Sequence, residues 1–385
     1  MLENALTGSK RYWGWIGLLS ALIVIGLICY LQQLSYGLGI TGMSRDVTWG
    51  FYIAQFTFLV GVAASAVMIV LPYYLHDYKS FGKLTILGEF IAVGSVIMCL
   101  LFIFADLGQP QRGFNIIFHP SPNSILFWDM IVLNGYLVIN LVLSWVTLTA
   151  ERKGIKPEGW WIKPLILLSI PWAISIHTVT AFIYCGLASR SFWLTAILAP
   201  RFLASAFASG PALLILIFFI VRKFSKFEVG KDAIQKLATI AAYAMALNVF
   251  FFLLEVFTAI YSAIPEHAHH FEYLFFGLEG KSKLVPWMWI AQIFAIVALI
   301  ILIVPKYRKN ENLLKWGCIA VFIAIWIDKG LGMVVTGFVP SPLGAVTEYW
   351  PTFRELCISL GIYAVGALIV TVLYKIALTV REKTV

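Results

Sequence analysis

Ten apolar runs, each about long enough to cross a bilayer as a helix, fill this chain, and almost no charged residue lies inside them. A membrane-spanning helix needs about 20 predominantly apolar residues. Hydrocarbon offers no water to backbone N–H and C=O groups, so runs of this length satisfy those groups internally, as helices. The expected fold is all-α and polytopic, one integral-membrane domain over residues 1–385. Its helices are expected at 12–34, 48–75, 84–106, 125–149, 162–188, 201–222, 236–262, 286–304, 313–336 and 357–380. Charged residues make up 12% of the chain, about half the share of a soluble domain. No loop is long enough for a separate soluble domain.

The net charge of +9 does not mark a nucleic-acid binder, because the basic residues sit in short loops beside the runs. Of the 28 Lys and Arg residues, 20 fall on the side of the N-terminus, among them Lys79, Lys83, Lys156 and Lys226. Seven fall on the other side (Arg45, Arg112, Arg190, Arg201, Lys281, Lys283 and Arg354), and Lys329 lies within a run. Basic residues accumulate in cytoplasmic loops, so both termini are expected in the cytoplasm, with the chain a multi-pass protein of the cytoplasmic (inner) membrane. Lys10 and Arg11 before the first run resemble the start of a signal peptide. That run is too long and lacks a small-residue cleavage site, so it is expected to remain as a helix. Tryptophans at run ends, such as Trp13, Trp15, Trp160, Trp161, Trp287 and Trp289, fit an interfacial belt.

Histidine and cysteine narrow the chemistry. A transmembrane b-type cytochrome needs axial ligands, usually His from facing helices. Only His177 falls within a run; His76, His119, His267, His269 and His270 fall in loops or at run ends. The five cysteines are far apart and form no CxxC pair. No haem, iron–sulfur cluster or metal site is expected in this chain, and His267-x-His269-His270 reads as a polar outer loop.

The remaining ionisable residues are biased toward the half of the membrane away from the termini. Asp106 closes the third helix, Asp129 opens the fourth, His177 lies past the middle of the fifth, Glu255 lies in the seventh, and Asp328 and Lys329 lie in the ninth. A charge facing lipid at mid-membrane costs on the order of 2.5–3.5 kcal/mol, so these residues are expected to face inward, pair, or line a wet cavity. Asp328 and Lys329 also read as a local compensating pair. Asp129, Tyr136, Asn140 and Ser144 form one polar stripe along the fourth helix. Asn248, Glu255, Thr258 and Ser262 share a face of the seventh, His177, Thr180, Ala181 and Tyr184 one of the fifth, and Trp49, Tyr52, Gln55 and Phe56 one of the second. Each stripe reads equally as interhelical hydrogen bonding. A quinone site requires an aromatic slot, donors to two carbonyl oxygens and a proton carrier, and the outer half supplies all three. Tyr52, Gln55, Asp129 and His177 are the candidate contacts. Asp129, Tyr136, Asn140 and Glu89 form a candidate proton path, with Glu255 and Asp328 as a second route.

Several stretches carry a family resemblance. Gly39-Ile-Thr-Gly-Met-Ser-Arg-Asp-Val-Thr-Trp-Gly-Phe-Tyr-Ile-Ala-Gln-Phe56 resembles the start of the second helix in the NrfD/PsrC family of quinone-interacting membrane subunits. Asp106-Leu-Gly-Gln-Pro-Gln-Arg112 is similar to that family's Asp-Leu-Gly-x-Pro-x-Arg segment, and this places Asp106 and Arg112 at the site mouth. The runs from Ile176 to Phe182 and from Ala199 to Phe207, with Pro340-Ser-Pro-Leu-Gly344, look most like the DsrP branch of that family, found in DsrMKJOP complexes of dissimilatory sulfur metabolism. The resemblance implies a subunit without a redox centre of its own. Such a subunit exchanges electrons between menaquinone or another quinone and an extracytoplasmic ferredoxin-like iron–sulfur subunit. It also implies as partners a multihaem cytochrome c, a dihaem b membrane subunit and a cytoplasmic heterodisulfide-reductase-like subunit. The alternatives are a proton or ion transporter, in which the buried carboxylates bind a coupling ion, and a purely structural anchor.

Overall fold

The computed structural model describes residues 2–75, 78, 81–82, 84–155, 157, 159–225 and 230–384. His76, Lys79, Lys83, Lys156 and Lys226 lie outside the described residues. Among the described residues ten helices are long and apolar enough to cross a membrane: α1 Lys10–Tyr36, α2 Phe51–Tyr73, α3 Thr85–Asp106, α4 Ile125–Lys153, α5 Ile162–Cys185, α6 Leu198–Phe224, α7 Lys231–Ser262, α8 Val285–Ile303, α9 Glu311–Thr336 and α10 Phe353–Arg381. Each coincides with one of the ten apolar runs, and no strand occurs among the described residues.

Local chemistry sets the helix ends. The Ser9 hydroxyl accepts from the Tyr12 amide to start α1, and Asn310 accepts from the amides of Asn312 and Leu313 to start α9. Each satisfies amides that have no partner within the helix. Gly154, at φ 67°, ends α4 in the left-handed conformation, its amide reaching the carbonyls of Ala150 and Glu151. α10 opens with a capping box. The Thr352 hydroxyl faces the Glu355 amide at 3.4 Å, and Glu355 Oε2 accepts from the Thr352 amide at 2.8 Å.

The helices form two groups of four. α2 to α5 pack around one another, as do α6 to α9, and the groups join where α2 and α5 meet α6 and where α2 meets α9. α2 is the central element, with every residue of its most apolar stretch buried. Small residues permit the junction: Gly61 faces Ala206 and Ser209 on α6, and Gly210 lies against Ser65, the close packing that small residues give in membranes. α1 and α10 pair along their length and lean on α3. Their closest approach is Gly26 on Gly361, where an added Cβ at Gly26 would lie 2.8 Å from the other's Cα. The Trp15 indole donates to Thr371, and the Lys375 ammonium lies 5.4 Å from the Tyr12 ring centroid. Both termini therefore emerge at one end of the bundle. The loops 37–50, 107–124, 186–197, 263–284 and 337–352 gather at the opposite end, called here the far end.

Three expectations change. The segment 263–285 is not all loop: Pro265–Phe275 is a short helix, so His267, His269 and His270 are helical. The stripe on α7 turns only partly inward, because Asn248 is buried whereas Thr258 and Ser262 are exposed. Asp328 and Lys329 form no ion pair with each other. α9 passes into a π-helical segment, Trp326–Gly332, and within it Asp328 turns to an arginine on α6 while Lys329 turns toward α2.

Candidate functional site

On α5, His177, Thr180, Ala181 and Tyr184 fall on one face at helical spacing, and all four are buried. Thr180 meets Asp129 of α4, its hydroxyl 2.7 Å from Asp129 Oδ1 and 2.7 Å from the Ile176 carbonyl. One hydroxyl proton serves only one of these acceptors, so both contacts are satisfied together when the carboxyl donates to Thr180. One turn deeper, His177 is fully enclosed, and neither ring nitrogen has a hydrogen-bond partner. Buried polar groups in proteins are nearly always paired, so an orphaned imidazole requires a reason.

One turn toward the far end, the Tyr184 hydroxyl bonds to Thr57 of α2 and its ring enters an aromatic cluster. Trp49 and Trp193 stack with centroids 5.9 Å apart, Tyr184 meets them edge-on at 5.6 and 5.0 Å, and Phe338 closes the cluster at 5.8 and 5.1 Å. Trp193 is anchored by its indole N–H to the Met333 carbonyl at 3.0 Å. The Arg190 guanidinium caps Phe338, 4.4 Å from the ring centroid. Burial lowers the Arg190 pKa from its ordinary value, and Asp46 acts in the opposite direction. The column thus runs from an aromatic, cation-capped mouth through a carboxyl–hydroxyl pair to a free imidazole.

Tyr52 and Gln55 leave α2 toward other neighbours. The Tyr52 hydroxyl donates to Gln33 Oε1 of α1 at 2.7 Å, and Gln33 Nε2 donates to the Ala105 carbonyl at 2.7 Å. Gln55 Oε1 accepts from the Trp326 indole and the Tyr363 hydroxyl, both at 2.7 Å. The structure therefore brings Asp129 and His177 to one column and directs Tyr52 and Gln55 to the α1, α9 and α10 side. Asp106 closes α3 with a buried, unpartnered Oδ1. Arg112 is exposed on the short turn Pro110–Phe114.

Below the column the α4 stripe faces inward. Tyr136, Asn140 and Ser144 are all buried, and Ser144 donates to the buried Glu89 at 3.1 Å. The Asn140 amide donates to its own helix, at the Tyr136 carbonyl. In the second group of helices, Arg201 of α6 joins Glu255 of α7 and both carboxylate oxygens of Asp328 of α9, the latter at 2.8 and 2.7 Å. All three side chains are nearly buried, at 8%, 9% and 12% exposure. Among the described residues no group of three or more His, Cys, Asp or Glu side chains is placed to hold a metal ion. His270 instead shares Nδ1 with the carbonyls of Thr336 and Val339, with Ser191 at its other nitrogen.

Residues 39–330 match the family described as polysulphide reductase, NrfD. The chain belongs to the NrfD family. It is similar to a putative membrane subunit of dimethyl sulfoxide reductase from Halobacterium salinarum, 26% identical with 93% of this chain and 89% of that one covered. It is 24% identical to the Hdr-like menaquinol oxidoreductase integral membrane subunit of Archaeoglobus fulgidus, covering 98% and 96%. It is 21% identical to a selenate reductase subunit of Mesobacillus selenatarsenatis, covering 92% and 91%. With its ten apolar helices, this NrfD-family chain is a multi-pass membrane protein.

Two residues of this NrfD-family bundle escape sequence reasoning. Arg201, which its sequence position places among the loop charges, is the counter-ion of both Glu255 and Asp328. Glu355 is fully buried and accepts from Tyr349 at 2.5 Å and from the Gly42 amide at 2.7 Å. Burial, and then Glu355, push the Tyr349 phenol up from its ordinary value, so it remains a donor. The signal for Glu355 stands in the sequence as Thr352-x-x-Glu355 before an apolar run.

Proposed function

We propose that this chain is the quinone-reactive membrane subunit of a respiratory oxidoreductase complex. In that role it exchanges electrons between menaquinone, or another quinone, and an extracytoplasmic iron–sulfur subunit. Two relatives carry menaquinol or menaquinone in their names, the Hdr-like subunit of Archaeoglobus fulgidus and a menaquinone reductase membrane subunit of Nitratidesulfovibrio vulgaris. The observation that carries the reading is His177, an enclosed imidazole with both nitrogens free, one turn below Asp129–Thr180 and under an aromatic cluster. An imidazole donates to a carbonyl oxygen and relays a proton. The Asp129–Thr180 pair holds a proton at the same level. Flat aromatic walls suit the ring. Tyr52 and Gln55 fix α2 against its neighbours, and Asp106 and Arg112 line the approach from the far end.

The finer assignment is a DsrMKJOP-like complex, with the ferredoxin-like subunit docked on the far end and with the cytochrome c, dihaem b and heterodisulfide-reductase-like subunits as further partners. Protons reach the site along Asp129, Tyr136, Asn140, Ser144 and Glu89, with Glu255 and Asp328 serving a second route. His177→Phe keeps a flat aromatic ring and removes both nitrogens. It is expected to lower quinol-dependent turnover by about 10²-fold, typical of losing an acid–base group, at unchanged subunit abundance. Wild-type turnover in that variant refutes the site.

A further inference from the structure

Where the two groups of helices meet lies a buried lysine that is in no ion pair among the described residues. Lys329 is 4% exposed. Its ammonium faces the Phe202 carbonyl at 3.5 Å and the Phe202 ring at 4.2 Å, and among the described residues it forms no ion pair with a carboxylate. Both oxygens of the adjacent Asp328 already accept from Arg201. Across the junction stands Gly61 of α2, where an added Cβ would lie 3.3 Å from Nζ. The amine therefore occupies space that a larger residue on α2 would take. One turn along α2, the buried Ser65 hydroxyl has no partner.

The charged and titratable groups acting on Lys329 are Arg201 on α6, Asp328 on α9, Cys99 on α3 and His177 on α5, with Glu255 of α7 behind Arg201; α2 faces it with Gly61, one turn from Ser65. A cavity with room for about one water lies against Lys329, Arg201, Ser205, Asn248 and Asp328. A second cavity of that size lies on the other side of Asn248 and Asp328 and extends to Gln292 of α8. Asn248 Oδ1 is buried between the two without a partner, as expected of a group that binds water in these cavities.

A fixed ammonium at this position would have exchanged its water shell for one carbonyl and a ring, a large desolvation cost outside an ion pair. An amine that accepts a proton only when a negative charge arises nearby avoids that cost for most of the cycle. We infer that Lys329 is a proton-holding residue that connects the Arg201–Glu255–Asp328 cluster with His177. One proton enters Nζ from water on the Asn248 side and leaves toward the free ring nitrogens of His177; only N–H bonds form and break, and no electron moves. The coupling to turnover rests on the quinone reading above, whereas the proton exchange does not.

The test uses Lys329→Met, which keeps the length without charge, and Lys329→Arg, which keeps a permanent charge. In the purified wild-type complex and both variants, bound quinone is measured after solvent extraction, and quinol-dependent turnover is followed from pH 6 to 9. Both variants are expected to retain quinone and to lose at least about 10-fold in turnover, the loss of an acid–base group. A fixed structural charge would instead be rescued by Arg. Wild-type turnover in Lys329→Met, or rescue in Lys329→Arg, overturns the inference. A quinone-independent measurement keeps the two readings apart. The difference in unfolding temperature between wild type and Lys329→Met is expected to change with pH over the same range, because a group that exchanges protons makes stability pH-dependent. A constant difference overturns proton exchange even where quinone is bound. Absence of quinone from the wild-type complex, with a pH-dependent difference, overturns the quinone reading alone.

Discussion

At Arg201 one guanidinium meets carboxylates from two other helices, holding α6, α7 and α9 together at a single point. The Phe252 ring lies 5.0 Å from its carbon, so little water reaches it. Removing one partner of a buried pair costs about 3–5 kcal/mol, because the remaining charges stay buried without compensation. Arg201→Met is therefore expected to lower the unfolding temperature of the detergent-purified protein markedly. Adding Glu255→Gln and Asp328→Asn to that variant should recover more than half of the loss, since neutral side chains of similar shape leave no stranded charge. Equal stability of wild type and Arg201→Met, followed by tryptophan fluorescence, would remove the triad as an anchor. The two carboxylates were legible in the sequence as inward-facing charges, but their partner was not. Pro200 precedes Arg201, which puts the arginine at the edge of a loop when the sequence is read alone. In the fold α6 begins at Leu198, and a proline in the first helical turn gives up no helix hydrogen bond. Two inward-facing acids with only Lys329 as a cation in view were the available clue. Tyr52 and Gln55 show the converse limit. Helical spacing placed both near the outer surface of α2, yet which neighbour each one meets depends on helix rotation, which a single chain's periodicity does not encode.

The short helix Pro265–Phe275 meets the far end of α9 and the loop after it at His270, whose Nδ1 reaches the carbonyls of Thr336 at 3.0 Å and Val339 at 2.8 Å. Ser191 adds a hydrogen bond to the Glu266 carbonyl, and the Trp289 indole closes on the Phe275 carbonyl. Burial pushes the His270 pKa down to about 4, partly opposed by its bonds to the Val339 and Thr336 carbonyls. The unfolded ring titrates near 6.5 and so binds more protons than the folded one between these values. The contribution of His270 is then complete above about pH 6.5 and is lost as pH falls toward 4. At pH 5 the loss is about 2 kcal/mol, or roughly 30-fold in local opening. Hydrogen exchange across residues 265–275, corrected for intrinsic rates, should accelerate accordingly from pH 7.5 to 5, and His270→Gln should flatten that dependence. An unchanged protection factor would show that His270 does not pin the helix. This element escaped sequence analysis because eleven residues with three histidines carry too few apolar positions to register as a run. The ten spanning helices were legible to within a few residues, since lipid demands long uninterrupted apolar stretches. The π-helical segment was not, because it changes the register of side chains without changing their composition.

Across the whole molecule the two ends differ in chemistry. Basic residues crowd the end that bears the termini, whereas the far end carries the longer loops and the mouth of the aromatic column. Several far-end loop residues are apolar and open: Phe118 is 73% exposed and Leu343 90% exposed. They lie beyond the ends of α3 and α9, in segments that do not themselves span the bundle. Both side chains are open to a partner docked at this end. Under the proposed quinone role, the position of the column favours the same end. His177, Asp129 and Tyr184 lie in the far half of the bundle, and electron exchange with a cluster outside the membrane requires the shortest available separation. An iron–sulfur subunit is therefore expected to dock over 106–124 and 337–356. Photo-crosslinking residues placed at Phe118 and Leu343 should capture it in intact membranes, whereas the same probes at Lys153 and Lys309, on the opposite end, should not. Capture only from Lys153 and Lys309 would reverse the docking face. It would also separate the cluster from the column by the thickness of the bilayer, leaving the electrons of a quinone held at His177 without a route.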